Sequence, residues 1–349
     1  MPLFLLHVIT VKCTFVPDMW VEAEWNGGRI DEIVVDDREE WLTIRNSLNG
    51  IGGSECGTVL GLDSYKSRIR LFYQKIGLAP STYKDNIYAF MGRLLEDKIV
   101  ELYEHYDEDE EVMLFNHTNG IKTREVEIRK NIMRNPDYPG LFMNVDGRVA
   151  HHPEYSPGGI LECKMVSGQV ANKWAMGFPV KYIAQAQHYM FLPNTDWAEL
   201  AQITDGVKFN VTYIPKSESL QEKILEMITD FQQRVAKAKE IIATTKSKEK
   251  QLQYITQVEP PLEDVFDYGQ FLSEKHIQRK EMSTTQAPEE IIALIKRLQE
   301  TRDRVKVLQN HEIKLTNEVK KDMEDNGLKE YTWEDGYVRW MKRFTIKTK

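Results

Sequence analysis

Residues 140–165 read GLFMNVDGRVAHHPEYSPGGILECKM, and the other predicted helices and strands lie around this central stretch. Two short apolar segments, 144–149 and 160–165, flank a turn rich in glycine and proline, which predicts a pair of strands. Each strand carries an acid where the apolar pattern calls for a hydrophobic residue, Asp146 in the first and Glu162 in the second. A hairpin would bring these two carboxylates together.

Side chains alternate between the faces of a strand, so Glu162 and Lys164 project to one face and Leu161 and Cys163 to the other. An acid and a lysine in an otherwise buried strand are costly unless something binds there. Two carboxylates and one ammonium converging on one spot suit magnesium, which takes hard oxygen ligands. The alternative from the residues alone is a surface hairpin whose Glu162 and Lys164 form a solvent-exposed pair.

Composition limits the function classes. The 349 residues are 41% hydrophobic and 29% charged, as in ordinary globular proteins, and allow one large domain or two. The net charge of −8 means that any nucleic-acid contact must use local basic patches. Three widely separated cysteines without a CxxC motif argue against a disulfide scaffold, a zinc ribbon or an iron–sulfur cluster, and they fit a reducing cytoplasm. The apolar opening MPLFLLHVITVKC is too short for a membrane span and lacks signal-peptide features.

Helices and strands alternate through the rest of the chain, which predicts an α/β fold. Ser54 is expected to cap a short helix after two glycines, where open backbone N–H groups form an anion site. The stretch from Lys66 to Lys75 is the most basic in the first half, and such a run is usually a solvated face. Further predicted elements are helices over 68–76, 86–106, 180–192 and 220–244, strands over 20–40 around a turn at Asn26 and Gly27, strands over 197–204 and 208–214, and a helical hairpin or short coiled coil over 289–325.

Five separated blocks, in this order, resemble one family: IGGSECGTVLGLDSYKS, GRLLEDKIVELY, NPDYPGLFMNVDGRV, GILECKM and YIAQAQHYMFLPNTDWAELAQI. The chain resembles the phage-type exonucleases, the YqaJ-like viral recombinases that include lambda-type exonuclease, over about residues 38–215. This resemblance implies a PD-(D/E)XK nuclease with a restriction-endonuclease-like core, a mixed central sheet flanked by helices. It leaves residues 1–35 and 255–349 uncovered, and the latter would form a helical, coiled-coil-like extension.

The resemblance assigns roles by position. Asp146 and Glu162 look like metal-binding carboxylates, with the carbonyl of Cys163 as a further ligand. Lys164 resembles the lysine that orients the attacking water and stabilises charge on the phosphate. The helix glutamate and motif glutamine beside the metals correspond to Glu96 and Gln185. Positions that hold phosphates of the entering strand correspond to Arg45 and Ser54. One departure is Val145, where the family usually has proline before the aspartate.

The resemblance therefore implies a magnesium-dependent deoxyribonuclease, with manganese as a possible substitute, that degrades double-stranded DNA ends from 5′ to 3′ in phage recombination. It also implies a single-strand annealing recombinase as partner and allows a homo-oligomer, since family members form rings. The rivals are an endonuclease or nickase on the same scaffold, and a non-catalytic DNA-binding or assembly protein. The expected division is an N-terminal extension (1–37), a nuclease domain (38–255) and a helical C-terminal extension (256–349).

Overall fold

The computed structural model describes residues 19–35, 37–48, 50–80, 86–128, 131–138, 140–173, 179–277, 285–333, 336–340 and 344–348. The chain divides into two compact units, Met1–Gln278 and Arg279–Lys349. The expectations for the opening thirteen residues fall on residues outside the described ranges.

In chain order, the first unit contains β1 (Val21–Trp25), β2 (Gly28–Ile33), α1 (Arg38–Ser47), β3 (Ile51–Gly52), α2 (Gly53–Val59), α3 (Arg68–Lys75), α4 (Ile87–Glu104), α5 (Glu110–Asn119), β4 (Glu125–Glu127), β5 (Ile132–Arg134), β6 (Leu141–Phe142), β7 (Gly147–His151), β8 (Gly159–Val166), α6 (Gly168–Lys173), α7 (Val180–Phe191), β9 (Trp197–Thr204), β10 (Lys208–Pro215), α8 (Glu218–Thr244), α9 (Lys248–Ile255) and α10 (Phe266–Ile277). The second contains α11 (Glu289–Asp325), β11 (Glu330–Trp333), β12 (Gly336–Trp340) and β13 (Phe344–Thr348).

A five-stranded mixed sheet forms the centre of the first unit, in the order β10-β9-β8-β7-β4. Strands β8 and β9 run parallel, whereas the other neighbouring pairs are antiparallel. Alternation along β8 splits its side chains between two cores: Ile160 packs in the larger cluster with residues of α7 and α8, and Leu161 packs with residues of α4. Helices therefore cover both faces, and the predicted α/β core with a mixed central sheet is confirmed.

The strands predicted over 20–40 form a β1–β2 hairpin that ends at Ile33, and its turn residues Asn26 and Gly27 have φ of 51° and 79°. Both are left-handed, as a two-residue turn that follows the twist of the strands requires. The hairpin extends into a three-stranded sheet through β5, and Trp25 is fully buried in the larger core. Residues 21–33, which the sequence placed in an N-terminal extension, are thus packed into the first unit.

Residues 256–277 also pack on the first unit, although the sequence placed them in the C-terminal extension. Asp267 of α10 accepts hydrogen bonds from Ser67 and Arg70 at the start of α3. Arg70 is only 5% exposed, and Arg68 is paired with Glu263. The expectation that this basic stretch is a solvated face is wrong, because acids supplied by a later part of the chain neutralise it.

The second unit consists of one 37-residue helix and a three-stranded antiparallel sheet. The long helix predicted over 289–325 is confirmed as continuous α11, and the helical-hairpin alternative is excluded. No helix among the described residues is both long and apolar enough to span a membrane.

Candidate active site

The β7–β8 hairpin brings the two predicted acids together. Gly147 pairs with Leu161, so Asp146 lies beside the middle of β8. Its Oδ2 accepts a hydrogen bond of 2.6 Å from the backbone N–H of Cys163. Asp146 therefore holds the strand on which Glu162 and Lys164 sit, in addition to placing its own carboxylate there.

Glu162 is the most constrained side chain of the group. Its Oε1 accepts hydrogen bonds from Lys164 Nζ and, at 2.7 Å, from Gln185 Nε2 of α7. Glu162 is only 6% exposed. The solvent-exposed pair that the sequence left open is thus excluded, because the carboxylate is enclosed between β8 and α7.

The charges around Glu162 act in opposite directions. Burial raises the pKa of its carboxyl to about 7, the Lys164 ammonium lowers it, and the charges of Asp146 and Glu96 raise it again. Burial lowers the pKa of Lys164, but the charges of Glu162 and Asp146 outweigh that effect and raise the pKa above its usual value. Without a bound cation, Lys164 is therefore held as an ammonium beside the two acids.

A divalent cation fits this set of donors. Among the described residues, Glu162 Oε2 is one of the few buried side-chain oxygen or nitrogen atoms without a hydrogen-bond partner. Such an atom is costly unless a ligand satisfies it. In the described ranges no three His, Cys, Asp or Glu side chains are close enough to form a ready cluster. Magnesium does not require one, since one or two carboxylates plus water and substrate phosphate often suffice.

The residues expected to hold a phosphate also meet. Arg45 Nη2 of α1 donates a 2.6 Å hydrogen bond to Ser54 Oγ. Ser54 does not cap α2 as expected; the cap is Gly52, and Ser54 is the second residue of the helix. The prediction of a cap at Ser54 is wrong because the helix begins at Gly53, two residues earlier than such a cap implies.

Tyr189 connects this pair to the acids, and sequence reasoning missed it. A Cβ on Gly53 would lie 2.2 Å from the Tyr189 ring, so the start of α2 rests directly on that ring. The Tyr189 hydroxyl lies 3.2 Å from Gln185 Nε2, which in turn binds Glu162. The signal in the sequence was the spacing of four between Gln185 and Tyr189, which places both on one face of a helix.

Residues 40–196 match the family model of the YqaJ-like viral recombinase domain. The chain contains a YqaJ-like viral recombinase domain. All eight predicted site residues lie within the matched range: Arg45, Ser54, Glu96, Asp146, Glu162, Cys163, Lys164 and Gln185.

One relative of the YqaJ-like domain is the uncharacterized protein YqaJ of Bacillus subtilis (strain 168), which is 30% identical over 197 residues. The match covers 56% of this chain and 55% of that protein, so the chain spans about half the length of this relative.

Three solved structures are similar to this chain. The alkaline exonuclease LHK-Exo from Laribacter hongkongensis has a TM-score of 0.43 at 17% identity, covering 59% of this chain and 96% of that one. LHK-Exo in complex with dAMP gives 0.44 at 17% identity over 62% and 99%. A phage related exonuclease from Haemophilus somnus 129PT gives 0.37 at 14% identity over 56% and 95%.

Proposed function

We propose that this protein is a metal-dependent deoxyribonuclease that shortens the 5′-ended strand of linear duplex DNA in phage or prophage recombination. One observation carries the proposal: Glu162 has a buried, unpartnered oxygen beside Asp146 and Lys164, within a viral recombinase domain. An enclosed acid group of this kind is a poor structural element and a good cation site. Its place in the host would be the bacterial cytoplasm.

Each residue has a proposed task. Asp146 and Glu162 hold the cation, with Glu96 and the Cys163 carbonyl as further ligands. When bound, magnesium, or manganese in its place, would lower the pKa of a bound water and neutralise negative charge on the phosphate. The Lys164 ammonium stabilises the negative charge that develops on the phosphate oxygens as the phosphodiester bond breaks. Gln185 fixes the Glu162 carboxylate by its 2.7 Å hydrogen bond, so the acid keeps one orientation.

The proposed entry point for the 5′-ended strand is the pair formed by Arg45 and Ser54. Their side chains offer a guanidinium and a hydroxyl, which together suit a phosphate. Through Gly53, Tyr189 and Gln185, this pair is linked by direct contacts to Glu162. A terminal phosphate held there would be placed close to the cation site. A single-strand annealing recombinase would bind the exposed 3′-ended strand. A ring of identical subunits would keep the enzyme on the DNA during degradation.

The test uses linear and closed-circular duplexes labelled separately at their 5′ and 3′ ends, with Mg²⁺ or with a chelator. We expect loss of the 5′-ended strand of linear DNA only, and only with the metal. The variants Asp146→Asn, Glu162→Gln and Lys164→Met should each slow cleavage by about a hundredfold or more. The first two remove a negative charge from a proposed cation ligand, and the third removes the ammonium beside the reacting phosphate.

Glu101→Gln is the matched control, since it removes a carboxylate from α4 whose side chain is 41% exposed. Near-parental rates in any two of the three site variants would refute the site. Cutting of closed circles would instead identify an endonuclease or nickase.

A further inference from the structure

Helix α11 carries an exposed apolar seam with a seven-residue repeat. With Ile291 taken as position a, the a positions are Ile291, Leu298, Val305, Glu312 and Val319. The d positions are Leu294, Thr301, Leu308, Leu315 and Asp322. Such a repeat is the signature of a helix that packs along one stripe against another helix. Yet the seam is open: Leu298 is 50% exposed and Leu308 is 67% exposed.

We propose that α11 pairs with α11 of a second copy of this chain as an antiparallel coiled coil centred between Val305 and Leu308. In such a pair, each a position of one helix faces a d position of the other. Leu298 of one copy then packs on Leu315 of the other, and Val305 packs on Leu308. Each contact occurs twice by symmetry.

The polar seam residues fix the direction. Thr301 and Glu312 lie at equal distances from the centre, so an antiparallel pair places the Thr301 hydroxyl opposite the Glu312 carboxylate. In the single chain this hydroxyl donates to the Arg297 carbonyl oxygen at 2.8 Å, and in the pair it would donate to the carboxylate instead. A parallel pair in register would bury Glu312 against Glu312. Two like charges facing each other in a seam are destabilising, so the parallel arrangement is disfavoured.

The flanking charges fix the register. The antiparallel pair puts Arg297 of one copy beside Glu318 of the other, and this attraction also occurs twice. A shift of one heptad in one direction would put Arg304 beside Arg304, and a shift in the other would leave Glu312 facing Leu308. In the parallel pair, Arg297 would meet Arg302. Only the proposed register matches apolar with apolar, polar with polar, and acid with base.

Burial of side chains near the C-terminal end of α11 shows where the exposed seam ends. Met323, near the C-terminal end of α11, is fully buried, and Val319 is half-buried. The open stretch therefore runs from Ile291 to Leu315, and the six layers formed by residues 298–315 all lie within it. The occupant that this surface fits is the same surface on a second copy.

Disulfide trapping tests the direction and register together. In full-length protein with Cys13→Ser, the variants Thr301→Cys and Glu312→Cys are made separately, then oxidised mildly, alone and after mixing. The natural Cys56 and Cys163 are buried and should not take part. We expect a linked dimer from the mixture and none from either variant alone. Linkage within one variant would show a parallel pair, and no linkage in any sample would show that α11 does not pair with itself in this register; either result overturns the proposal.

Charge reversal gives an independent readout by sedimentation. Arg297→Glu should weaken association of the copies roughly tenfold, because two attractive contacts become repulsive. Adding Glu318→Arg should restore it. Lys296→Glu changes the charge equally but points away from the seam, and it should have no such effect. Equal weakening by Lys296→Glu and Arg297→Glu, or no rescue by the double variant, would contradict the proposed register.

Discussion

At the scale of single residues, the hydrogen bond between Arg45 and Ser54 makes a prediction about DNA ends. The two side chains present a positive charge and a hydroxyl at 2.6 Å from each other, and neither is a proposed cation ligand. Arg45→Ala and Ser54→Ala should therefore reduce the preference for a 5′-phosphate more than they slow cleavage once it has begun. Rates on phosphorylated and hydroxyl ends, measured for initiation and for later steps, check this. Equal initiation on both ends by the parent protein would remove the basis of the idea.

His188 predicts how stability responds to acid. Its imidazole is 1% exposed and lies with Nε2 2.8 Å from the carbonyl oxygen of Phe142, which fits a neutral ring donating its N–H. Burial lowers its pKa to about 4, although the Phe142 carbonyl and Glu55 partly offset this. In the unfolded chain the pKa is about 6.5. Between these values the unfolded chain binds a proton that the folded protein does not.

The free energy of unfolding should accordingly fall as the pH drops from 6.5 to 4, by up to about 3 kcal/mol from this one group. His188→Gln should flatten that part of the pH profile, measured by denaturant unfolding at several pH values. His117→Gln, at a side chain that is 41% exposed, is the control and should leave the slope unchanged. The same slope in parent and His188→Gln would assign the acid sensitivity to other groups.

At the scale of elements, the sequence predicted helices and strands with regular apolar repeats, but it did not predict long-range charge pairing. Helices α4, α7 and α8, strands β9 and β10, and the β7–β8 hairpin appear where their periodicity predicted them. Helices α9 and α10 were not predicted from the sequence. The partners Ser67 and Asp267 are 200 positions apart, and no local pattern reports such a contact.

The same contrast holds for the candidate site. Asp146, Glu162 and Lys164 were found from the residues themselves, because charges interrupt an apolar strand pattern. Glu96 and Gln185 came only from family resemblance, since an acid or amide within a helix is unremarkable in sequence. Tyr189 was missed because its role depends on how α7 meets Gly53.

The contact between α3 and α10 predicts a large stability effect at Asp267. Its carboxylate accepts hydrogen bonds from Ser67 N at 2.8 Å, Ser67 Oγ at 2.7 Å and Arg70 Nε at 2.7 Å. Asp267→Ala would leave the Arg70 guanidinium buried and short of a partner, which costs about 3–5 kcal/mol. Glu274→Ala removes the other carboxylate on Arg70, but its side chain is 45% exposed and the loss should be about 1 kcal/mol or less. Thermal or denaturant unfolding of both variants checks the difference, and equal losses would contradict it.

At the scale of the whole molecule, the structure divides the chain at Gln278, not at the boundary of 255 expected from the sequence. The reason is physical: residues 256–277 supply Glu259, Glu263 and Asp267 to the side chains of Tyr73, Arg68 and Ser67. Helix α11, in contrast, has almost no buried side chains apart from Met323. The first unit should therefore need residues up to about 278 and not those beyond.

Two truncations test this division. A chain ending at Gln278 should unfold cooperatively, cut short duplexes with metal as the full chain does, and lose the self-association proposed for α11. A chain ending at Glu259 should be much less stable, because Arg68 and Arg70 would lose their acidic partners while remaining in a packed region. Thermal melts, metal-dependent cleavage and mass by light scattering, measured on both, separate these outcomes. If the chain ending at Gln278 melts cooperatively yet cannot cut, the second unit belongs to the catalytic machinery. If the chain ending at Glu259 is as stable as the longer one, α10 does not contribute to the stability of the first unit.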